Sequence, residues 1–195
     1  MKKLIYYIDN PNYILKENEL KELETNLKNE NYANSFIQYL KENYYNFDNN
    51  YINKITTFLK RLTLLNESSS WQIAIRIFCN NLYTKLFDTL IEITVGIVSR
   101  KDEPFIQVQE RINNTCQEII LSPINNSLTK EEESLLLEII KRHAIYYTLP
   151  GETSYEKAIA RLTELKISKK ELTKIFKLKK EQLESFKPKE EKKRT

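Results

Sequence analysis

Glycine is nearly absent from this chain, and histidine is rarer still. The 195 residues include only 2 glycines, Gly96 and Gly151, and 1 histidine, His143. An average composition holds roughly 7% glycine, and glycine supplies the positive φ angles of hairpin turns and nucleotide-binding loops. The shortage excludes phosphate loops of the GxxxxGK and GxGxxG types, because each needs closely spaced glycines. It disfavours sandwiches and doubly wound sheets, and it favours helices joined by short polar connections.

Soft metal ligands are also scarce. The two cysteines, Cys79 and Cys116, lie far apart in the sequence, whereas a metal site needs more ligands at closer spacing. We interpret both as buried free thiols, with a disulfide as the alternative. His143 falls near a predicted helix C-terminus, where the helix dipole favours a cation, so we assign it a structural role. We therefore predict no enzyme, no metal, no cofactor and no small-molecule substrate.

Long apolar runs are missing as well. The N-terminal run Leu4–Ile8 ends at Asp9 and is too short for the apolar core of a signal peptide. The stretch Leu82–Val98 is interrupted by one lysine and two acidic residues, and it falls short of the roughly 20 apolar residues of a membrane span. We expect a soluble cytoplasmic protein without a membrane partner.

Apolar residues recur at helical spacing through most of the chain, a pattern that predicts amphipathic helices. The stretch from Trp71 to about Val98 is apolar around much of its circumference, which is typical of a buried helix. Thr129 and Glu132 fit a capping box at the start of a later helix. We predict an all-α fold: a helical bundle around a buried central helix at about residues 71–98, followed by a small three-helix C-terminal unit.

The Pro150-Gly151 pair is the sharpest break in the chain, and charge changes beyond it. Residues from Ser154 onward hold fourteen Lys and Arg against seven Asp and Glu, a net +7; the whole chain carries +4, so the preceding part carries −3. We predict a helical bundle domain over residues 1–149, a small helix-turn-helix-like unit over 152–187 and a basic disordered tail over 188–195.

Three short amphipathic segments make up the predicted C-terminal unit, over Ser154–Leu165, Ser168–Phe176 and Lys180–Phe186. With Leu178 as an apolar plug in the turn, residues 171–183 resemble the general pattern of bacterial helix-turn-helix repressors. The chain departs from that pattern at its turn, where Lys177 stands in the position that usually holds glycine. We predict that Leu178 is buried between the second and third segments.

This resemblance implies a non-enzymatic DNA-binding protein, such as a regulator or a plasmid or phage maintenance factor, with duplex DNA as its partner. Basic side chains would then meet phosphates; the candidate nucleic-acid-binding residues are Lys169, Lys170, Lys174, Lys177, Lys179, Lys180 and Lys187. The alternative is an all-helical adaptor or assembly subunit that binds a protein partner or a second copy of itself. Lysine has A/T-rich codons, so codon bias alone is a competing explanation of the basic segment.

Overall fold

The computed structural model describes residues 1–94, 103–148 and 152–185, with the side chains of residues 88–94 and 103 left aside. These residues are helical almost throughout and contain no strand, which confirms the all-α prediction. A 3₁₀ turn at Tyr44–Asn46 follows the third helix, and a π-helix at His143–Tyr147, here called the π-segment, continues the seventh. The α-helices are α1 (Lys2–Asp9), α2 (Glu17–Leu27), α3 (Glu30–Asn43), α4 (Asn49–Leu65), α5 (Ser69–Thr94), α6 (Glu103–Leu121), α7 (Lys130–Arg142), α8 (Thr153–Glu164) and α9 (Lys169–Ser185).

The chain divides into two compact units, Met1–Leu136 and Leu137–Thr195, here called the N-terminal unit and the C-terminal unit. The division lies inside α7, because the π-segment that continues this helix packs against α8 and α9. The break predicted at Pro150-Gly151 lies outside the described residues, as does the tail predicted over 188–195.

Helix α5 is the central element of the N-terminal unit, as predicted, and it packs against α2, α3, α4 and α6. The hydroxyl of Ser68 caps its start by accepting a hydrogen bond from the backbone N–H of Trp71 at 3.3 Å. The Trp71 side chain is fully buried, and its indole N–H donates to the carbonyl of Leu62 at 2.8 Å. Residues 95–98 of the predicted central helix lie outside the described part.

The capping box predicted at the start of α7 is confirmed. The backbone N–H of Glu132 donates to the Thr129 hydroxyl at 3.1 Å, and the backbone N–H of Thr129 donates to the Glu132 carboxylate at 2.9 Å. Two N–H groups that the helix leaves without intrahelical acceptors are thereby satisfied. Local sequence was sufficient to place this helix start.

A buried arginine closes the C-terminus of α6. Arg76 on α5 is 1% exposed, and its Nη2 donates to the Ser122 carbonyl at 3.1 Å, to the Ser122 hydroxyl at 2.8 Å and to the Pro123 carbonyl at 3.4 Å. Its Nη1 donates to the backbone carbonyl of Gln72 at 2.9 Å and to the side-chain amide oxygen of Gln72 at 3.1 Å. Carbonyl groups at a helix C-terminus carry partial negative charge, so they stabilise the buried guanidinium.

Both cysteines are free and buried, which confirms that interpretation. Cys79 lies on α5 and Cys116 on α6, the two helices that share the most extensive packing. Burial, together with a hydrogen bond to Cys79, raises the pKa of the Cys116 thiol well above its usual range. The structure therefore brings together two thiols that the sequence separates, and it keeps the Cys116 thiol un-ionised.

The two short helices predicted over Ser168–Phe176 and Lys180–Phe186 do not exist as separate elements. Helix α9 runs without interruption from Lys169 to Ser185, because residues 177–179 are Lys, Leu and Lys, which all favour helix. The helix-turn-helix interpretation is wrong for this reason. The described part of the C-terminal unit holds two separate α-helices after the π-segment instead of three.

The left-handed residue of this region lies in the connection between α8 and α9. Lys166 has a φ of 58°, and it follows the end of α8 in a Schellman motif. The backbone N–H of Ile167 donates to the carbonyl of Leu162 at 3.2 Å, and that of Lys166 donates to the carbonyl of Thr163 at 3.0 Å. The chain therefore reverses before α9 begins and not in its middle.

Candidate functional site

The candidate nucleic-acid-binding lysines on α9 fall into two groups. Five are exposed: Lys169, Lys170, Lys174, Lys177 and Lys180. Lys177 forms an ion pair with Glu181 at 3.9 Å. Lys179 is buried, and Lys187 lies outside the described residues.

The exposed lysines share one face of the helix with acidic residues. At about 3.6 residues per turn, Lys170, Lys174 and Lys177 lie along one side of α9. Lys169 and Lys180 lie about 100° around the helix from that line, so all five exposed lysines fall within a sector of about 140°. Glu181 and Glu184 are exposed in the same sector, so this face of α9 carries both signs of charge and is not uniformly basic.

Lys179 is a correction to the predicted set, because its side chain is only 2% exposed. Its ammonium group donates to the backbone carbonyl of Ile145 at 3.0 Å and to the side-chain oxygen of Gln182 at 3.2 Å. It also lies 5.9 Å from the ring centroid of Tyr155. Burial lowers the pKa of Lys179 to about 8, against the opposing effect of the Glu152 carboxylate.

Lys179 is one of three side chains that satisfy the carbonyl groups of the π-segment. The Thr148 hydroxyl lies 3.3 Å from the carbonyl oxygen of His143 and 3.1 Å from that of Ala144. Lys179 donates to Ile145, and the side-chain amide of Gln182 donates to Tyr146 at 3.3 Å. Helix C-termini leave such carbonyls without intrahelical donors, so α9 acts as the cap of the π-segment. Single-turn π-helices are rare in proteins, and those that occur are often found at functional sites.

The charge state of His143 differs from the one expected from the sequence. The side chain is fully buried, and burial, together with the charge of Lys179, lowers its pKa to about 4. The imidazole is therefore neutral at pH 7, whereas we expected the helix dipole to favour a cation here. The cost of desolvating a charge exceeds the attraction of the helix terminus at this depth.

A groove of about 360 Å³ lies between the π-segment and α9, entirely within the C-terminal unit. Ile145 and Ile175 are buried on its floor, and the half-buried Leu178 lies beside them. Tyr146 stands at its edge with 53% of its surface exposed. The lower limit for small-ligand pockets is roughly 300 Å³, so this groove holds a few side chains and not a whole domain.

Polar contacts close both ends of this groove. At one end, the Lys141 ammonium pairs with the Glu171 carboxylate at 2.9 Å and with that of Glu138 at 3.3 Å. At the other end, the side chain of Gln182 bonds the carbonyl of Tyr146. Lys141 precedes Tyr146 along the wall formed by α7 and the π-segment, and Glu171 precedes Gln182 along the wall formed by α9. The two walls therefore run in the same direction.

Leu178 is a second correction. We predicted that it is buried in a turn, but it lies within α9, is half-buried and lines the groove. The buried residues of this part of α9 are Ile175 and Lys179, which are spaced by one helical turn. The prediction failed because the periodicity of the apolar residues placed the buried stripe on leucine, whereas the π-segment offered carbonyl groups to lysine.

The groove itself was missed by sequence reasoning. Arg142, Ile145 and Tyr146 lie in a segment that we assigned only to the end of a helix. A signal was present in the adjacent tyrosines at 146 and 147, directly before a helix end, because exposed aromatic residues are enriched at interfaces. Their position beside α9 could not be read from the sequence.

The chain matches no family model, no curated protein and no solved structure. Across residues 1–94, 103–148 and 152–185, no group of three His, Cys, Asp or Glu side chains is arranged to hold a metal ion. None of the helices in these ranges combines the length and the apolar composition that a membrane crossing requires.

Proposed function

We propose that this protein is a non-enzymatic adaptor that binds a partner protein through the groove of its C-terminal unit. The single observation that carries the proposal is the exposed Tyr146 beside a floor of Ile145, Ile175 and Leu178. Apolar concavities flanked by an aromatic side chain are typical of interaction sites. The walls of this concavity are held by hydrogen bonds at both ends, so it is formed before a partner arrives.

The residues around the groove support binding more than catalysis. Apart from the phenol of Tyr146, its titratable groups are lysine, arginine and glutamate side chains, of which Lys141, Glu138 and Glu171 are held in ion pairs. The single histidine of the chain, His143, is buried and is not among the residues that line the groove. A general base must reach the proton that it abstracts, and His143 has no such access.

Site-specific crosslinking tests this function directly. A photoreactive phenylalanine derivative replaces Tyr146 in the full chain, expressed in the cells from which the sequence comes. The control carries the same group at Phe176, which is also an exposed aromatic residue of the C-terminal unit but lies on the far side of α9 from Lys174. We expect a defined protein adduct, which includes the case of a second copy of this chain, at position 146 and not at position 176.

The crosslinked partner is then purified, and its affinity for the intact protein is measured. Leu178→Glu places a charge on the edge of the floor, so it should weaken binding about tenfold or more. Equal adducts at both positions, or full binding by Leu178→Glu, would contradict the proposed function.

Binding to duplex DNA is the second candidate, and the positions of Lys170, Lys174 and Lys177 along one side of α9 favour it. Its test is the affinity for duplex DNA at several salt concentrations. Micromolar binding with a steep salt dependence would support it, since each phosphate contact releases a counterion. Absence of binding at low salt would remove it.

A further inference from the structure

We propose that the groove selects an acidic partner segment, an inference that rests on the proposed function. The segment places one carboxylate between Arg142 and Lys174, and it lays one large apolar side chain over the floor at Ile145, Ile175 and Leu178. The occupant is an amphipathic helix in which an Asp or Glu and a Leu, Met or Phe are one turn apart.

The charges of the groove are the first feature that favours an acidic partner. Its lining contains three cations and two carboxylates, and Lys141 pairs with both carboxylates. Arg142 and Lys174 are exposed and form no ion pair with any residue in the described part of the chain. The groove therefore offers a partner two cations whose charge no described residue compensates.

The register of the two walls is the second feature, because it fixes where the cations and the apolar side chains lie along the groove. Arg142 and Tyr146 are separated by one turn along α7 and the π-segment, as are Lys174 and Leu178 along α9. Since the two walls run in the same direction, both cations lie toward the end closed by Lys141, and Tyr146 and Leu178 lie toward the end closed by Gln182.

The spacing of the two ends matches a helical partner. Side chains one turn apart on a helix are separated by about 5–6 Å at their Cβ atoms. A helix that offers an acid and an apolar side chain at i and i+4 repeats the spacing of the groove walls, and helix-in-groove recognition uses anchors of this kind.

A nucleic-acid strand fits these observations less well. A phosphate backbone would use Arg142 and Lys174, but it would leave the apolar floor and Tyr146 uncovered. The carboxylates of Glu138 and Glu171, at the same end of the groove, would repel a chain of phosphates more than a single carboxylate.

A phage-displayed library of random 16-residue peptides, selected on the immobilised full-length protein, tests this inference. The enriched peptides are synthesised, and their affinities are measured by fluorescence anisotropy. The decisive variant is Arg142→Glu combined with Lys174→Glu. Its matched control is Lys169→Glu combined with Lys180→Glu. This control makes the same change in net charge at exposed lysines on the side of α9 that faces away from the groove. Circular dichroism checks that both variants retain their helix content.

We expect enriched peptides to pair an acid with an apolar residue at helical spacing. The groove variant should weaken their binding about tenfold or more, and the control variant should change it less than about twofold. A peptide in which Lys replaces the acid should regain affinity for the groove variant, which a merely destabilised protein would not show.

Two other outcomes overturn the inference, and they can be told apart. Enriched neutral or basic peptides that Leu178→Glu still abolishes would contradict acidic selectivity and leave the proposed groove function standing. If no enriched peptide loses affinity in either Leu178→Glu or the groove variant, both the acidic selectivity and the peptide-binding function are overturned.

Discussion

Each of the two units holds a buried cation that closes the end of a helix, but the two cations differ in kind. In the N-terminal unit, Arg76 donates to the carbonyls of Ser122 and Pro123 after α6. In the C-terminal unit, Lys179 donates to the carbonyl of Ile145 in the π-segment. Both use the negative end of a helix as the counter-charge for a buried group.

The difference lies in donor geometry and in titration. The guanidinium of Arg76 is a planar fork that binds several acceptors at once and stays protonated at every accessible pH. The ammonium of Lys179 is a compact charge whose pKa burial lowers to about 8. The charge of the buried cation in the N-terminal unit, Arg76, is therefore insensitive to pH. The charge of the buried cation in the C-terminal unit, Lys179, changes with pH.

The largest expected effect is the loss of the arginine. Arg76→Ala leaves the carbonyls of Ser122 and Gln72 buried without these donors, so the N-terminal unit should lose roughly 3–4 kcal/mol of unfolding free energy. Urea denaturation followed by the fluorescence of Trp71, the single tryptophan, reports on this unit. Lys54→Ala, an exposed lysine of α4, is the control and should cost less than about 0.5 kcal/mol. Similar costs for both would show that the buried guanidinium is not a structural brace.

The next effect is acid destabilisation of the C-terminal unit through His143. Its pKa is about 4 in the folded chain and 6.5 in the unfolded chain, so the unfolded chain takes up the proton first as pH falls. Stability is fully present above pH 6.5 and declines toward pH 4, by at most about 3 kcal/mol. Hydrogen exchange of residues 137–148 and 152–185 measures it, and His143→Gln should remove this part of the pH dependence. An unchanged profile in that variant would assign the decline to the carboxylates.

A smaller effect, again with stability rising as pH rises, is expected from Lys179 at alkaline pH. Its pKa is about 8 when folded and 10.5 when unfolded, so the unfolded chain binds more protons between these values. The C-terminal unit should gain about 1–2 kcal/mol as pH rises from 8 toward 10, while the contribution of Arg76 to the N-terminal unit stays constant. Lys179→Met should abolish the gain, and Lys180→Met, its exposed neighbour, should retain it. A gain that persists in Lys179→Met would refute the assignment.

The smallest effect concerns the left-handed residue after α8. Lys166 has a φ of 58°, a region that glycine enters without steric cost. Lys166→Gly should stabilise the C-terminal unit by up to about 1 kcal/mol. Lys170→Gly, within the first turn of α9, should instead destabilise it by about 1 kcal/mol. Thermal unfolding of both variants compares them, and destabilisation by Lys166→Gly would contradict the Schellman geometry.

Local signals sufficed to place the starts of α5 and α7. Ser68 before Trp71, and Thr129 with Glu132, are capping residues whose partners lie within three positions. The end of α6 before Pro123 is of the same kind, since proline cannot continue the hydrogen-bond ladder. The middle residues of α9 favour helix. Its continuity was missed because we weighted the resemblance to a turn pattern more heavily than this preference.

The sequence by itself determined the all-helical class, the central helix and the net charge of each part of the chain, because these follow from composition, periodicity and nearest neighbours. Only the tertiary structure decided that Lys179 is buried while Lys174 is exposed, and that Arg142 and Tyr146 form a wall of a groove. Two lysines of one helix have the same intrinsic preferences. Their roles differ because only Lys179 faces the carbonyls of the π-segment, whose residues are more than 30 positions away in the chain.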